Sequence, residues 1–84
     1  MDRLQNRAAL LEFLNSVAKP GHTIEAFDDE ANLVRADAID SFALIQIIFY
    51  LEQKHGLDLR ALGIDPADLV SIGGMLAAIQ RAEA

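Results

Sequence analysis

The stretch Asp40-Ser41-Phe42-Ala43-Leu44-Ile45-Gln46-Ile47-Ile48-Phe49-Tyr50-Leu51-Glu52-Gln53-Lys54-His55-Gly56 decides the fold. Asp40 and Ser41 are both residue types that open helices, because a short side-chain oxygen satisfies an amide of the first turn. Nine of the ten residues from Phe42 to Leu51 are apolar. Polar Glu52-Gln53-Lys54-His55 and then Gly56 close the run, with a base and a glycine where a helix end favours them. These cap signals predict a helix of about 14 or 15 residues. A helix apolar on all sides is normally enclosed, which makes Leu44, Ile47, Ile48 and Leu51 core residues. Three companion helices cannot cover every side, however. Phe42, Ile45 and Phe49 fall at i, i+3 and i+7, on one stripe beside Ser41 that is expected to meet a partner.

Working outward, Leu4, Ala8, Leu11, Leu14 and Val17, with Leu10 and Phe13, follow helical spacing. Asp2 is a plausible cap and Lys19-Pro20-Gly21 a stop, so a first helix is predicted over residues 3–18. From Lys19 to Asp40 the periodicity lapses among Pro20, Gly21, Asp28, Asp29 and Asn32. A connection this long in a small domain is usually functional or pinned by its own apolar residues; Phe27 and Leu33 are expected to tie it to the core. On the far side, Asp65-Pro66 is a cap followed by a proline at the first helical position, with Asp68 three residues after the cap. This predicts a short third helix ending before Ser71, and Ser71 caps a fourth through Ile72, Met75, Leu76 and Ile79. The fold class is all-α: one domain over residues 1–84, a small four-helix bundle with a short third helix and a long loop between the first two.

Composition narrows the function. Without cysteine there are no disulfides, no thiolate catalysis and no cysteine metal site, and His22 and His55 lie far apart in sequence. A net charge of −6 repels nucleic-acid phosphates and anionic lipid. No apolar run approaches the roughly 20 residues that span a bilayer, and Met1-Asp2-Arg3-Leu4 does not open like a signal peptide. The expectation is a cytoplasmic monomer that neither binds nucleic acid nor enters membranes. Asp28-Asp29-Glu30 lacks the alternating oxygen ligands of a calcium loop and reads as a solvated acidic loop.

The segment with chemistry in it is Asp40-Ser41-Phe42. A serine there is exposed at its hydroxyl, beside amides that have no intrahelical partner and at the positive end of the helix dipole. A phosphodiester on it would sit where an anion is favoured. On these residues alone, a simple helix cap explains as much.

The longer stretch from Leu33 to Gly56 resembles the phosphopantetheine attachment region of acyl and peptidyl carrier proteins. The points of likeness are Leu33 eight residues before Ser41, the core Asp40-Ser41-Phe42, and the helix end Leu51-Glu52 with Gly56. The spacing from Leu33 to Ser41 is more like that of discrete carriers for D-alanine or dedicated pathways than that of fatty-acid carriers, and Ser71-Ile72…Leu76…Ile79 is similar to the family's last helix. The resemblance implies a protein without catalysis of its own. A phosphopantetheinyl transferase would attach 4′-phosphopantetheine from coenzyme A to Ser41, with Asp40 beside it. An acyl- or aminoacyl-loading ligase or transferase would then charge the arm's thiol as a thioester. Phe42, Ile45, Gln46 and Phe49 would meet these partners.

Three departures from the family stand out. Asp37 replaces a glycine four residues before the serine; aspartate tolerates a left-handed backbone better than most residues. His55 replaces an aromatic before Gly56 and is expected to be a partly buried core or cap residue. Where fatty-acid carriers place acids along this helix, Ala43, Gln46, Gln53 and Lys54 stand. The competing reading is an unmodified helical adaptor that docks partners through the same helix.

Overall fold

In the computed structural model, which describes residues 3–83, the cap chemistry of the central helix is as the sequence predicts. Helix α2 runs Ser41–His55, started by Asp40, whose backbone is extended and whose carboxylate accepts from the Ala43 amide at 2.8 Å. It ends at Gly56 in the left-handed region (φ 64°), where the amides of Gly56 and Leu57 both turn back on the Leu51 carbonyl. Around it stand α1 (Arg3–Val17), a one-turn α3 (Leu59–Leu62) and α4 (Ile72–Glu83), with 3₁₀ turns at Ile24–Ala26 and Pro66–Leu69 and no strand among the described residues. The cap assigned to Asp2 lies outside the described residues.

Leu10 and Leu14 of α1, Ile47 and Leu51 of α2, and Ile72, Met75 and Ile79 of α4 are fully enclosed and form the core. Leu44 and Ile48 pack on its edge, half-buried. On α1 the inward face is narrower than the apolar spacing implied: Leu4 is 74% exposed and Ala8 is also exposed. Leu4 instead lines an open recess with Leu76, Ile79 and Gln80 of α4.

The segment between α1 and α2 is pinned rather than slack. Leu33 is fully buried and Phe27 is half-buried against the core, as expected, but Ile24, Ala38 and Ile39 are also enclosed. Backbone bonds stitch both ends of the segment: Lys19 N–H donates to Ala38 O, Leu33 N–H to Val70 O, and Gly73 N–H to Asp29 O, at 2.8–2.9 Å.

The region after α2 differs from expectation. The turn begun by Asp65-Pro66 is 3₁₀, with the capping box of Asp65 and Asp68 formed. An additional α-helical turn precedes it, with Asp58 accepting from the Arg60 and Ala61 amides and Gly63 closing it at φ 66°. Four residues are too few to show a period, so only the caps mark it.

The first turn of α4 packs closely on its neighbours. A Cβ on Gly74 would lie 1.9 Å from the Asp68 carbonyl oxygen, and one on Gly73 3.2 Å from the Asp29 carbonyl. Both neighbours are backbone, so Gly74→Ala must push the 3₁₀ turn off α4. The expected loss is about 1–3 kcal/mol, typical of overpacking, read as a lowered midpoint in thermal unfolding followed by circular dichroism. A midpoint equal to wild type would mean that the turn does not rest on Gly74.

Candidate functional site

The mouth of α2 is built by the ten residues before it. Asn32 opens a helical turn, its side-chain oxygen accepting from the Val34 and Arg35 amides at 3.1 and 3.0 Å. The turn is closed by Asp37 N–H to Val34 O and Ala38 N–H to Leu33 O, with Asp37 at φ 63°. That pair of bonds around a left-handed residue is a Schellman motif, whose special position is normally glycine. Asp37 therefore keeps the turn that the sequence left in question.

The Asp37 carboxylate is also ion-paired with Lys19, just beyond the end of α1. This hydrogen bond holds Asp37 below the usual carboxylate range and Lys19 above the usual lysine range. Sequence alone did not reveal the pair, because the partners are 18 residues apart. Ala38 and Ile39 then plug into the core ahead of Ser41, and Ala43 does so behind it.

Ser41 is exposed between these anchors. Asp40 is the cap; no hydrogen bond engages the Ser41 hydroxyl among the described residues. The first backbone bond of the helix is Leu44 N–H to Asp40 O at 3.0 Å, so the Ser41 and Phe42 amides precede the ladder. Removing the cap by Asp40→Ala should lower stability by about 1 kcal/mol, the usual cost of such a loss. Equilibrium denaturation with urea measures this; an unchanged midpoint would show the cap to be dispensable.

Phe42, Ile45 and Phe49 point outward at 68%, 51% and 59% exposure, forming the stripe that their spacing predicts. Gln46 is exposed beside them. From Ser41 to Leu51 the helix has no charged residue. The chain's acids lie elsewhere: Asp29, for example, accepts from Nη1 and Nη2 of Arg7, each at 2.7 Å, and is held below its ordinary range by that bonding.

His55 lies apart from the mouth, at the last position of α2. Its side chain is 2% exposed, with Nδ1 3.7 Å from a Glu83 carboxylate oxygen. The Asn6 amide donates to both oxygens of Glu83 at 3.3 Å, so α1, α2 and α4 meet there. His55 Nε2 and the Tyr50 hydroxyl are buried without hydrogen-bond partners among the described residues. Burial, then the nearby Glu12 charge, pushes the Tyr50 hydroxyl's pKa up. His55 is thus a partly buried residue at the helix end, as expected, with its ring itself enclosed.

Sequence reasoning also missed a shallow, broadly open recess of about 520 Å³ where Phe13 of α1 meets α2, lined otherwise by Gln46, Phe49, Tyr50, Gln53 and Lys54 of α2. Phe13 and Tyr50 stack in it, ring centres 4.3 Å apart and 12° from parallel. An aromatic residue on each of two neighbouring helices was the available signal. Among the described residues, no group of three or more potential metal ligands gathers, and no helix is long and apolar enough to cross a membrane. No family model, curated protein or solved structure matches the chain.

Proposed function

We propose that this chain is a discrete carrier protein that holds an acyl or aminoacyl group as a thioester on a 4′-phosphopantetheine arm attached to Ser41. The observation that carries this reading is the Ser41 hydroxyl itself: exposed, engaged in no hydrogen bond among the described residues, and set at the start of a 15-residue helix whose cap is the neighbouring residue. The surroundings suit a phosphodiester. The Ser41 and Phe42 amides can receive an anion. The two acids nearest in sequence are occupied, Asp40 with the Ala43 amide and Asp37 with Lys19. When bound, the arm supplies the thiol that a chain without cysteine lacks. The protein's own part is to present the hydroxyl to a phosphopantetheinyl transferase and to fix the base of the arm between the anchors Ile39 and Ala43.

The test is intact mass. Incubated with coenzyme A and a broad-specificity transferase, the chain should gain one phosphopantetheinyl group, located at Ser41 by peptide fragmentation. Refusal by several transferases would remove the reading's central support and favour an unmodified adaptor, which the exposed stripe on α2 would serve equally well.

The stripe defines how partners would dock. With no charge from Ser41 to Leu51, association is expected to be mainly hydrophobic, with Phe49 as anchor because aromatic residues dominate hot spots. Phe49→Ala should weaken loading by a cognate ligase or acyltransferase by about 1 kcal/mol or more. Raising salt should matter less, since screening acts on exposed charges. A loading assay across a salt series measures both. Steep salt dependence with an indifferent Phe49→Ala would mean that the acidic loop at Asp28-Asp29-Glu30 steers recognition instead.

A further inference from the structure

The exposed side chains of α2 form an apolar track that begins beside Ser41 and leads into the recess between α1 and α2. Phe42 and Ile45 lie along it, and Phe49 is both its far end and a wall of the recess. From Ser41 to Phe49 is eight residues of helix, a rise of about 12 Å at 1.5 Å per residue. A pantetheine arm, two amide-linked segments ending in a thiol, is longer than that.

The lining sorts possible occupants by charge. Phe13, Phe49 and Tyr50 offer aromatic surface and Gln46 and Gln53 offer amides; Lys54 is the one charged residue among those six. On a chain of net charge −6, this recess has no acid in its lining. Glu12 belongs to the adjoining recess on the α1 side, which shares Phe13, Tyr50 and Lys54 with this one.

Resting on the carrier reading, we infer that the recess between α1 and α2 seats the cargo of the Ser41 arm, and that this cargo is an acyl group with an uncharged apolar body rather than an aminoacyl group. Hydrocarbon gains by leaving water against the ring pair. An α-ammonium would face Lys54 with no carboxylate in the lining to offset it.

The experiment uses the full chain, isotope-labelled on its amides and modified by a transferase with three coenzyme A derivatives. One carries the bare arm; the others carry an octanoyl or an alanyl group through a stable amide in place of the thioester. Mass spectrometry is read first: no gain in mass overturns the carrier reading, and this inference with it. With modification established, the octanoyl form should shift the amide resonances of Phe13, Gln46, Phe49, Tyr50, Gln53 and Lys54 relative to the bare arm. The alanyl form should leave them where the bare arm does. Gln53→Glu, a change at an exposed position, should abolish the octanoyl shifts without moving the thermal midpoint. Octanoyl shifts centred on Leu14, Met75 and Ile79 would put the cargo inside the bundle and overturn the inference alone. So would the absence of any shift, or equal shifts from the alanyl form.

Discussion

Chains carrying Ser41→Ala are expected to gain no mass with coenzyme A and a phosphopantetheinyl transferase, yet to unfold at nearly the wild-type midpoint. The first half follows from chemistry, since alanine has no oxygen to accept a phosphoryl group. The second half follows from the division of labour at the mouth of α2. Asp40, not Ser41, accepts from the Ala43 amide, and the Ser41 hydroxyl bonds to nothing among the described residues. Substitutions at exposed sites of this kind usually change stability by no more than about 0.5 kcal/mol. Had Ser41 been the cap, its loss would cost about as much as that of Asp40. The pair of variants therefore separates the two explanations of this serine. Mass gain by the Ser41→Ala chain would move the attachment point elsewhere, and a sharply lowered midpoint would restore Ser41 to a structural role.

Ile47→Ala should be far more damaging than Ile45→Ala, although the two isoleucines are two residues apart. Ile47 is fully enclosed and Ile45 is 51% exposed. Large-to-small changes in a core cost roughly 2–5 kcal/mol, a large share of the 5–15 kcal/mol that typically holds a domain together. At about 4–8 °C per kcal/mol for a domain of this size, the midpoint for Ile47→Ala should fall on the order of 10 °C or more. Ile45→Ala should stay close to wild type. Similar falls for the two would mean that the faces of α2 are misassigned.

What was legible in the sequence was whatever chemistry is local. Asp40 and Gly56 mark the ends of α2 because caps act on amides and carbonyls within one turn of themselves. The outward set Phe42, Ile45 and Phe49 was readable because it follows from helical period once the opposite face is taken as core. Asp37 was readable only as a residue that tolerates the left-handed backbone it adopts, not as one that requires it. Features set by distant neighbours were not. Leu4 and Leu14 look alike in the periodicity of α1, and only the placement of the other elements makes one exposed and the other enclosed. The Lys19–Asp37 pair and the approach of Asp68 to Gly74 depend on how separate segments pack. The recess between Phe13 and Tyr50 exists only once α1 lies against α2.

The uncharged run from Ser41 to Leu51 also sets a tempo. Charge-steered protein pairs associate at up to about 10⁸–10⁹ M⁻¹s⁻¹ at low salt, against 10⁵–10⁶ for neutral ones. A partner docking on this face, as proposed, would gain little from charge on the face itself, so its arrivals would be slow and the correct partner would be distinguished by how long it stays. Traffic through such a site rises chiefly with proximity. If the chain is a carrier as proposed, tethering to or co-assembly with a loading enzyme, which converts encounter into an intramolecular event, would speed that traffic.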